Sequence, residues 1–160
     1  MLYIIRMNNI DVTKITIVKE EKYSKILYND KPLEINTGPL KLLFGLEKMY
    51  DSFIIKLVLD SELESLIDEL ETHINKFPQF KDNQVKSSII RKDNYPNMVL
   101  VKIPSYKGKI TASVMDESGN FNIFNLKKKS TLKCKLFIDS IWNYKGKNTY
   151  RIKLKEMLIL

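Results

Sequence analysis

A mainly β fold with one main α-helix is what this 160-residue sequence predicts, and three observations carry the prediction. Short alternating or apolar runs recur along the chain, turn signals containing Gly and Asn separate them, and only one segment repeats its apolar residues at helical spacing. Short strands joined by such turns indicate a small barrel or sandwich. The length suits a single domain over residues 1–160. With 44% hydrophobic and 29% charged residues, the chain can bury a core.

The elements follow in chain order. Ile10–Val18 alternates apolar and polar residues, Lys19-Glu20-Glu21-Lys22 interrupts it, and Tyr23–Tyr28 resumes, which predicts a hairpin. Phe53–Leu59 is apolar except for Lys56 and reads as a central strand. Asp60-Ser61 then opens a helix, with Glu64 at capping-box spacing from Ser61. Leu63, Leu66, Ile67, Leu70 and Ile74 form its apolar stripe, and Pro78 closes it. Its outer face carries Glu62, Glu64, Asp68, Glu69 and Glu71 and reads as a solvated surface, with a protein-docking face, or one that repels nucleic acid and so orients it, as the alternative. Further strands are predicted at Val85–Arg91, Met98–Ile103, Ile110–Met115, Phe121–Phe124, Thr131–Trp142 and Thr149–Ile159. Asn36–Pro39 and Pro78–Asn83 read as loops.

Rare residues exclude several chemistries. Cys134 is the only cysteine and His73 the only histidine, so neither a disulfide framework nor a structural zinc site is available, and a reducing compartment is expected. Cys134 shares an alternating face with Leu132, Leu136 and Ile138 and is expected to be buried; His73 is expected on the helix surface. The glycines match no phosphate-binding loop. Asp116-Glu117 is the one adjacent carboxylate pair in the basic half, but Asp-Glu-Ser-Gly-Asn reads as a turn before it reads as a metal site. No catalytic residue, metal ligand or cofactor is therefore assigned. Leu2-Tyr3-Ile4-Ile5 is too short for a signal peptide's apolar region, and no run reaches membrane-spanning length. The expectation is a soluble, cytoplasmic protein without enzymatic activity.

Charge points to a polyanionic partner. The net charge is +8. Residues 1–80 hold 10 basic and 13 acidic side chains, whereas residues 81–160 hold 17 and 6. Half of the 16 aromatic residues lie in that basic half. Lys outnumbers Arg by 24 to 3, and Lys acts as a point charge on phosphate where Arg reads guanine in two-pronged fashion. A basic surface with interleaved rings is what holds single-stranded nucleic acid without reading its sequence.

The candidate contacts cluster accordingly. On Thr131–Trp142, Lys133, Lys135 and Phe137 face away from the apolar side. On the final strand Ile152, Leu154 and Leu158 alternate against Arg151, Lys153 and Lys155, and Trp142 precedes the connecting turn. Tyr-Lys-Gly-Lys occurs twice, as Tyr106, Lys107, Gly108, Lys109 and as Tyr144, Lys145, Gly146, Lys147. The copies read either as two soluble turns or as cationic, aromatic fingers flanking a groove. Trp142 and Tyr150 read either as core or hairpin-pair aromatics or as part of the contact surface.

Phe44-Gly45-Leu46, an apolar strand and a capped helix come first; Asn94-Tyr95-Pro96 then leads into Val101-Lys102-Ile103, and Ile141-Trp142 with Lys145-Gly146-Lys147 precedes a basic-apolar final strand. Over residues 40–160 this order resembles single-stranded DNA-binding proteins of cytoplasmically replicating DNA elements, those of nucleocytoplasmic large DNA viruses and yeast linear plasmids. The resemblance implies an OB-fold-like barrel with additional strands. It also implies single-stranded DNA as partner, replication proteins of the same element as further partners, and Lys102, Trp142 and Lys147 as DNA contacts. The alternatives are an RNA-binding module of an AT-rich cytoplasmic element and a basic virion or scaffold protein.

Overall fold

The computed structural model describes residues 10–160, and the apolar run Leu2–Ile5 lies outside them. Asp11 caps a 3-10 turn at Val12–Lys14 through Thr13, so the first strand, β1 (Ile15–Lys19), begins later than the alternation predicts. It pairs with β2 (Tyr23–Tyr28) in the expected hairpin, Ile15 opposite Tyr28. Asn29 and Asp30, at φ 53° and 62°, turn the chain into β3 (Lys31–Asn36), a strand the sequence reading passed over. Pro32 costs that strand a donor, yet β2 and β3 share only two register pairs, so the loss is tolerated. Then come β4 (Leu40–Lys41), β5 (Glu47–Met49) and β6 (Ser52–Val58), the predicted central strand.

Helix α1 (Ser61–Ile74) has Asp60, not Ser61, as its N-cap: Asp60 Oδ1 accepts from Leu63 N at 2.8 Å. Glu64 therefore falls one position past the capping-box site and accepts instead from Asn97 Nδ2 at 2.7 Å. Pro78 ends nothing; it opens α2 (Pro78–Lys81) at a first-turn position where its missing N–H costs no bond.

Of the predicted strand Val85–Arg91, only β7 (Ile89–Ile90) forms. Elsewhere in this segment Val85 N donates to Asn75 Oδ1 and Ser88 N to Glu71 Oε2, while Lys86 N donates to Asn148 O beside an isolated bridge between Val85 and Asn148. Next are β8 (Met98–Ile103), the short hairpin β9 (Ser105–Tyr106) and β10 (Lys109–Ile110), then β11 (Ser113–Asp116) and β12 (Gly119–Asn120). Phe121–Phe124 is not a strand, because Asn122 accepts from Phe124 N and starts a 3-10 turn at Ile123–Asn125.

The two long predicted C-terminal strands each break once. Thr131–Trp142 becomes β13 (Thr131–Ile138) and β14 (Ser140–Tyr144), and Thr149–Ile159 becomes β15 (Lys147–Tyr150) and β16 (Ile152–Ile159). Asp139 and Arg151 sit at the breaks, where β14 and β15 swing over to pair with β2 and with each other.

The ladder runs β15-β14-β2-β3-β13-β16-β8-β6-β5. The run β3–β4 also pairs with β13 at Leu40 and Lys41, and Leu42 bridges Leu57 of β6. Residues 31–42, β6, β8, β16 and β13 thus circle the core, closed on one side by a single bridge. A partly open, five-stranded Greek-key barrel with added strands is an OB-like fold. Among the described residues pairing is antiparallel except where β16 meets β8 and β11 and at the isolated Val85–Asn148 bridge.

Leu63, Ile67, Leu70 and Ile74 of α1 join Ile55, Leu57, Val99, Val101, Leu136 and Leu154 in the core. Cys134 is buried there as expected, and burial pushes its thiol up to about 12. Two residues on α1 depart from the helical-wheel reading. His73 is half-buried, edge-on to Phe77 with centroids 5.3 Å apart. Glu71 is 8% exposed, and its Oε2 accepts from both Tyr150 Oη and Ser88 N. Tyr150, 6% exposed, is thus a core residue whose hydroxyl also meets Ser88 Oγ at 2.8 Å. A buried carboxylate is tolerated when its acceptors are filled, and here it ties α1 to β15 and to the segment before β7.

Burial first, and the Glu71 carboxylate beside it second, raise the Tyr150 phenol well above its ordinary value of 10.0. The unfolded chain releases that proton near pH 10 while the folded chain keeps it, so the contribution is full below pH 10 and lost as pH rises above it. Tyr150→Phe should remove this alkaline component from stability measured by urea unfolding between pH 8 and 11. At neutral pH it should cost about 1–3 kcal/mol, because Glu71 loses a donor.

Candidate nucleic-acid interface

Strand pleating sends alternate residues outward, and register lines those residues up across neighbouring strands. On the outer side of the sheet Glu34 of β3 stands opposite Phe137 of β13, Phe137 opposite Lys153 of β16, Lys153 beside Lys102 of β8, and Lys102 opposite Ile54 of β6, which is itself buried. The row crosses five strands at spacings of about 4.8 Å. At its centre the Lys153 ammonium lies 5.7 Å from the Phe137 ring centroid.

Beside the row a cleft of about 610 Å³ is lined by Tyr23, Lys25, Leu27, Pro32, Asp139, Ser140, Trp142 and Lys153. Its wall is a ring pair: Tyr23 and Trp142 stack at 4.7 Å between centroids and 26° between planes. The pairing of β2 with β14 sets Trp142 opposite Tyr23, and the indole Nε1 donates to Ser140 Oγ at 3.0 Å, fixing the ring's attitude. Trp142 remains 47% exposed, so it is a platform rather than core.

Most lysines of this face have carboxylate neighbours. Lys153 Nζ is 3.3 Å from both Asp139 oxygens, Lys135 is 3.9 Å from Glu156, Lys56 is 3.3 Å from Glu47, and Lys155 pairs with Glu34. Lys102 is different. Partial burial first, then the positive charges of Arg151 and Lys153, hold its ammonium below the ordinary 10.5, and only Asp139 opposes them. Cationic charge without full compensation gathers at Lys102, Arg151 and Lys153, where an anion would be stabilised.

The two Tyr-Lys-Gly-Lys copies form the same turn. Lys107 and Gly108 have φ of 51° and 78°, Lys145 and Gly146 have 51° and 80°, and each turn lysine folds over its own tyrosine ring at 5.4 and 5.3 Å. Left-handed values at both central positions suit a two-residue hairpin, and glycine takes the second without strain. Tyr106 faces Lys109 across one hairpin and Tyr144 faces Lys147 across the other. Tyr106 and Tyr144 are 67% and 69% exposed. The second copy extends β14 and β15 directly beyond Trp142, and Asn83 Nδ2 donates to its Gly146 O. The first stands on Pro104 and Thr111, near where Ser113 pairs with Glu156, towards the opposite end of β16.

Of the remaining expected residues, Lys133 and Lys135 point outward from β13. Leu158 was placed with the apolar side of β16, but Lys155 is an extra residue in the ladder with β13, so the alternation flips: Met157 is buried and Leu158 faces out opposite Lys133. Sequence reading missed Tyr23 and Lys25, whose membership depends on a β2–β14 pairing between distant segments. It also missed Phe44, Lys56 and Tyr95 as a group.

No family model matches the chain, and no curated protein sequence does. Solved structures match. The single-stranded DNA-binding protein from bacteriophage Enc34, as a C-terminal truncation, gives a TM-score of 0.55 at 13% identity, over 92% of this chain and 93% of that one. The same phage protein in complex with ssDNA gives 0.54 at 11% identity, over 92% and 95%. The bacteriophage T7 single-stranded DNA-binding protein gp2.5 gives 0.50 at 10% identity, over 80% and 86%. At such identities the likeness is one of fold: this chain has the mainly β, OB-like fold of phage single-stranded DNA-binding proteins. The sources of these structures are phages, so they carry the fold part of the resemblance drawn from the sequence and not its viral or plasmid origin.

The charge crowding is measurable without ligand. In a lysine side-chain NMR titration Lys102 should deprotonate below the exposed lysines, and Arg151→Ala should shift its midpoint upward. An unshifted Lys102 would mean that the outer face is evenly compensated.

Proposed function

We propose that this chain binds single-stranded DNA across the outer face of its barrel without reading sequence, coating template exposed during replication. The observation that carries this reading is the row Phe137–Lys153–Lys102 running into the Tyr23–Trp142 stack. One ring and two ammonium groups follow one another at strand spacing, with the ring pair across the cleft from Lys153, so rings for bases and cations for phosphates share one surface. In OB-like barrels the face of the second and third strands and the loops at its margins hold oligonucleotides, and β6, β8 and the β14–β15 hairpin occupy those places. The phage neighbours, one of them described in complex with ssDNA, support the same partner.

In this reading Lys102, Lys133, Lys135, Arg151 and Lys153 meet phosphates, and Phe137 and Trp142 meet bases. Tyr106, Lys107 and Lys109 extend the surface at one end, and Tyr144, Lys145 and Lys147 at the other. The few arginines argue for phosphate contact over base reading. We infer one nucleic-acid-binding domain over 1–160, acting in the cytoplasm on a viral or plasmid replicon, without turnover of its own.

Oligo-dT should quench or shift the fluorescence of Trp142, the sole tryptophan. Affinity should fall by about 0.7 log units per phosphate contact for each tenfold rise in salt. Lys102→Ala combined with Lys153→Ala should weaken poly-dT and mixed-sequence oligonucleotides alike and flatten that slope. Equal-length duplex and RNA serve as competitors, and tighter RNA binding would transfer the site to RNA. Cleavage of the oligonucleotide, or ATP hydrolysis, by purified protein with magnesium would contradict the binding-only role.

A further inference from the structure

The same face bears a second ring pair that the row above does not use. Phe44 and Tyr95 lie 6.1 Å apart between centroids at 48°, and the Lys56 ammonium sits 5.4 Å from the Phe44 centroid while pairing with Glu47 at 3.3 Å. Register puts Lys56 on the outer side, and the ring contacts bring Phe44 and Tyr95 to it. Lys56 of β6 stands opposite Leu100 of β8, two residues before Lys102 and therefore on the same side of the sheet as Lys102 and Lys153.

The backbone beneath Phe44 is fixed. A Cβ at Gly45 would meet Leu126 O at 3.3 Å, so a larger residue would need the chain below it to give by a few tenths of an ångström. Tyr95 comes from another loop, held by Tyr95 N donating to Lys92 O at 3.2 Å, and it is 49% exposed. Two loops that meet only in the folded barrel therefore present a ring pair beside an ammonium group. The strand carrying Lys56 is two ladder steps from that carrying Lys153, about 10 Å. The Tyr23–Trp142 stack lies beyond Lys153 on the other side, across the cleft.

We propose that Phe44, Lys56 and Tyr95 form a second subsite for a base and its phosphate, so that one strand is gripped at two platforms with Lys102 and Lys153 between them. This rests on the single-stranded DNA reading above and adds a length threshold to it. A short oligonucleotide occupies one platform; a longer one spans both and gains from each.

The test compares dT4 with dT15 on wild type, Tyr95→Ala, Tyr95→Phe and Trp142→Ala, with thermal melting to confirm each fold. Tyr95→Ala should lose at least about 5-fold in dT15 affinity, by the magnitude of one stacked base. It should leave dT4 within about 2-fold of wild type, since dT4 settles on the Trp142 platform. Tyr95→Phe should keep dT15 affinity. Oligo-dT carrying 5-iodouracil and photo-crosslinked to unaltered protein should mark Phe44 or Tyr95 with the longer length only. Wild-type dT15 affinity in Tyr95→Ala without such a crosslink would overturn the second subsite and leave the first intact, as would equal losses for both lengths. Failure of wild type to bind either length would overturn the reading on which it rests.

Discussion

The outer face depends on one short parallel pairing, Ile152 with Val101 and Lys153 with Lys102. It joins β16, the last strand, to β8, which the chain formed after α1, and so brings the basic C-terminal half against the central strands. Parallel neighbours need a long connection, and residues 104–151 supply it. Without this pairing Phe137 and Lys153 would still face each other through the antiparallel ladder, but no second ammonium would lie alongside and no row would cross from β13 to β6. The pairing places like charges together, and the Lys102 ammonium, depressed first by partial burial, is lowered further by the charges of Arg151 and Lys153. A fold that bears such repulsion on a solvent face has a surface ready for an anion.

Charge on that face is buffered rather than bare. Asp139, Glu34, Glu156 and Glu47 each lie against one lysine. The exposed Lys155–Glu34 pair is of a kind that contributes little, so an anion would displace its carboxylate at little cost, whereas Lys56–Glu47 and Lys153–Asp139 are part-buried. Meanwhile the carboxylates hold long side chains near their positions. Asp139 has a special place, because the same break that positions it also turns β13 into β14 and delivers Trp142 to Tyr23. The charge pattern and the ring pattern therefore share one backbone feature.

The strand-rich architecture was legible because alternation and turn signals are local, as β6, β8 and the two type I′ hairpins at 107–108 and 145–146 show. The stripe of α1 was legible for the same reason. What escaped was set by long-range pairing. Leu158 was misassigned because one extra residue, Lys155, reverses the alternation, and a bulge has no signature in a lysine-rich strand. Glu71 sat on the acidic face by helical spacing, yet Tyr150 and Ser88 arrive from elsewhere to fill its acceptors. Phe137, Trp142 and Lys153 stood out in the sequence as charge and ring types and Lys102 through the family resemblance, whereas Tyr23, Phe44 and Tyr95 meet their ring and lysine neighbours only across the barrel.

The repeated Tyr-Lys-Gly-Lys separates these two levels. Both copies adopt the same turn, with nearly identical φ values and the same lysine folded over the same ring, because four residues suffice to specify a two-residue hairpin. Their surroundings differ. The copy at 144–147 continues strands that pair with β2 and with each other, so its tyrosine is carried two residues beyond Trp142 on the same side of β14. The copy at 106–109 forms an isolated two-stranded sheet on its own stem, beyond the end of β8. Local sequence fixes what each turn presents, an exposed ring and its cations. Only the strands to which each turn is attached decide which part of the outer face it adjoins.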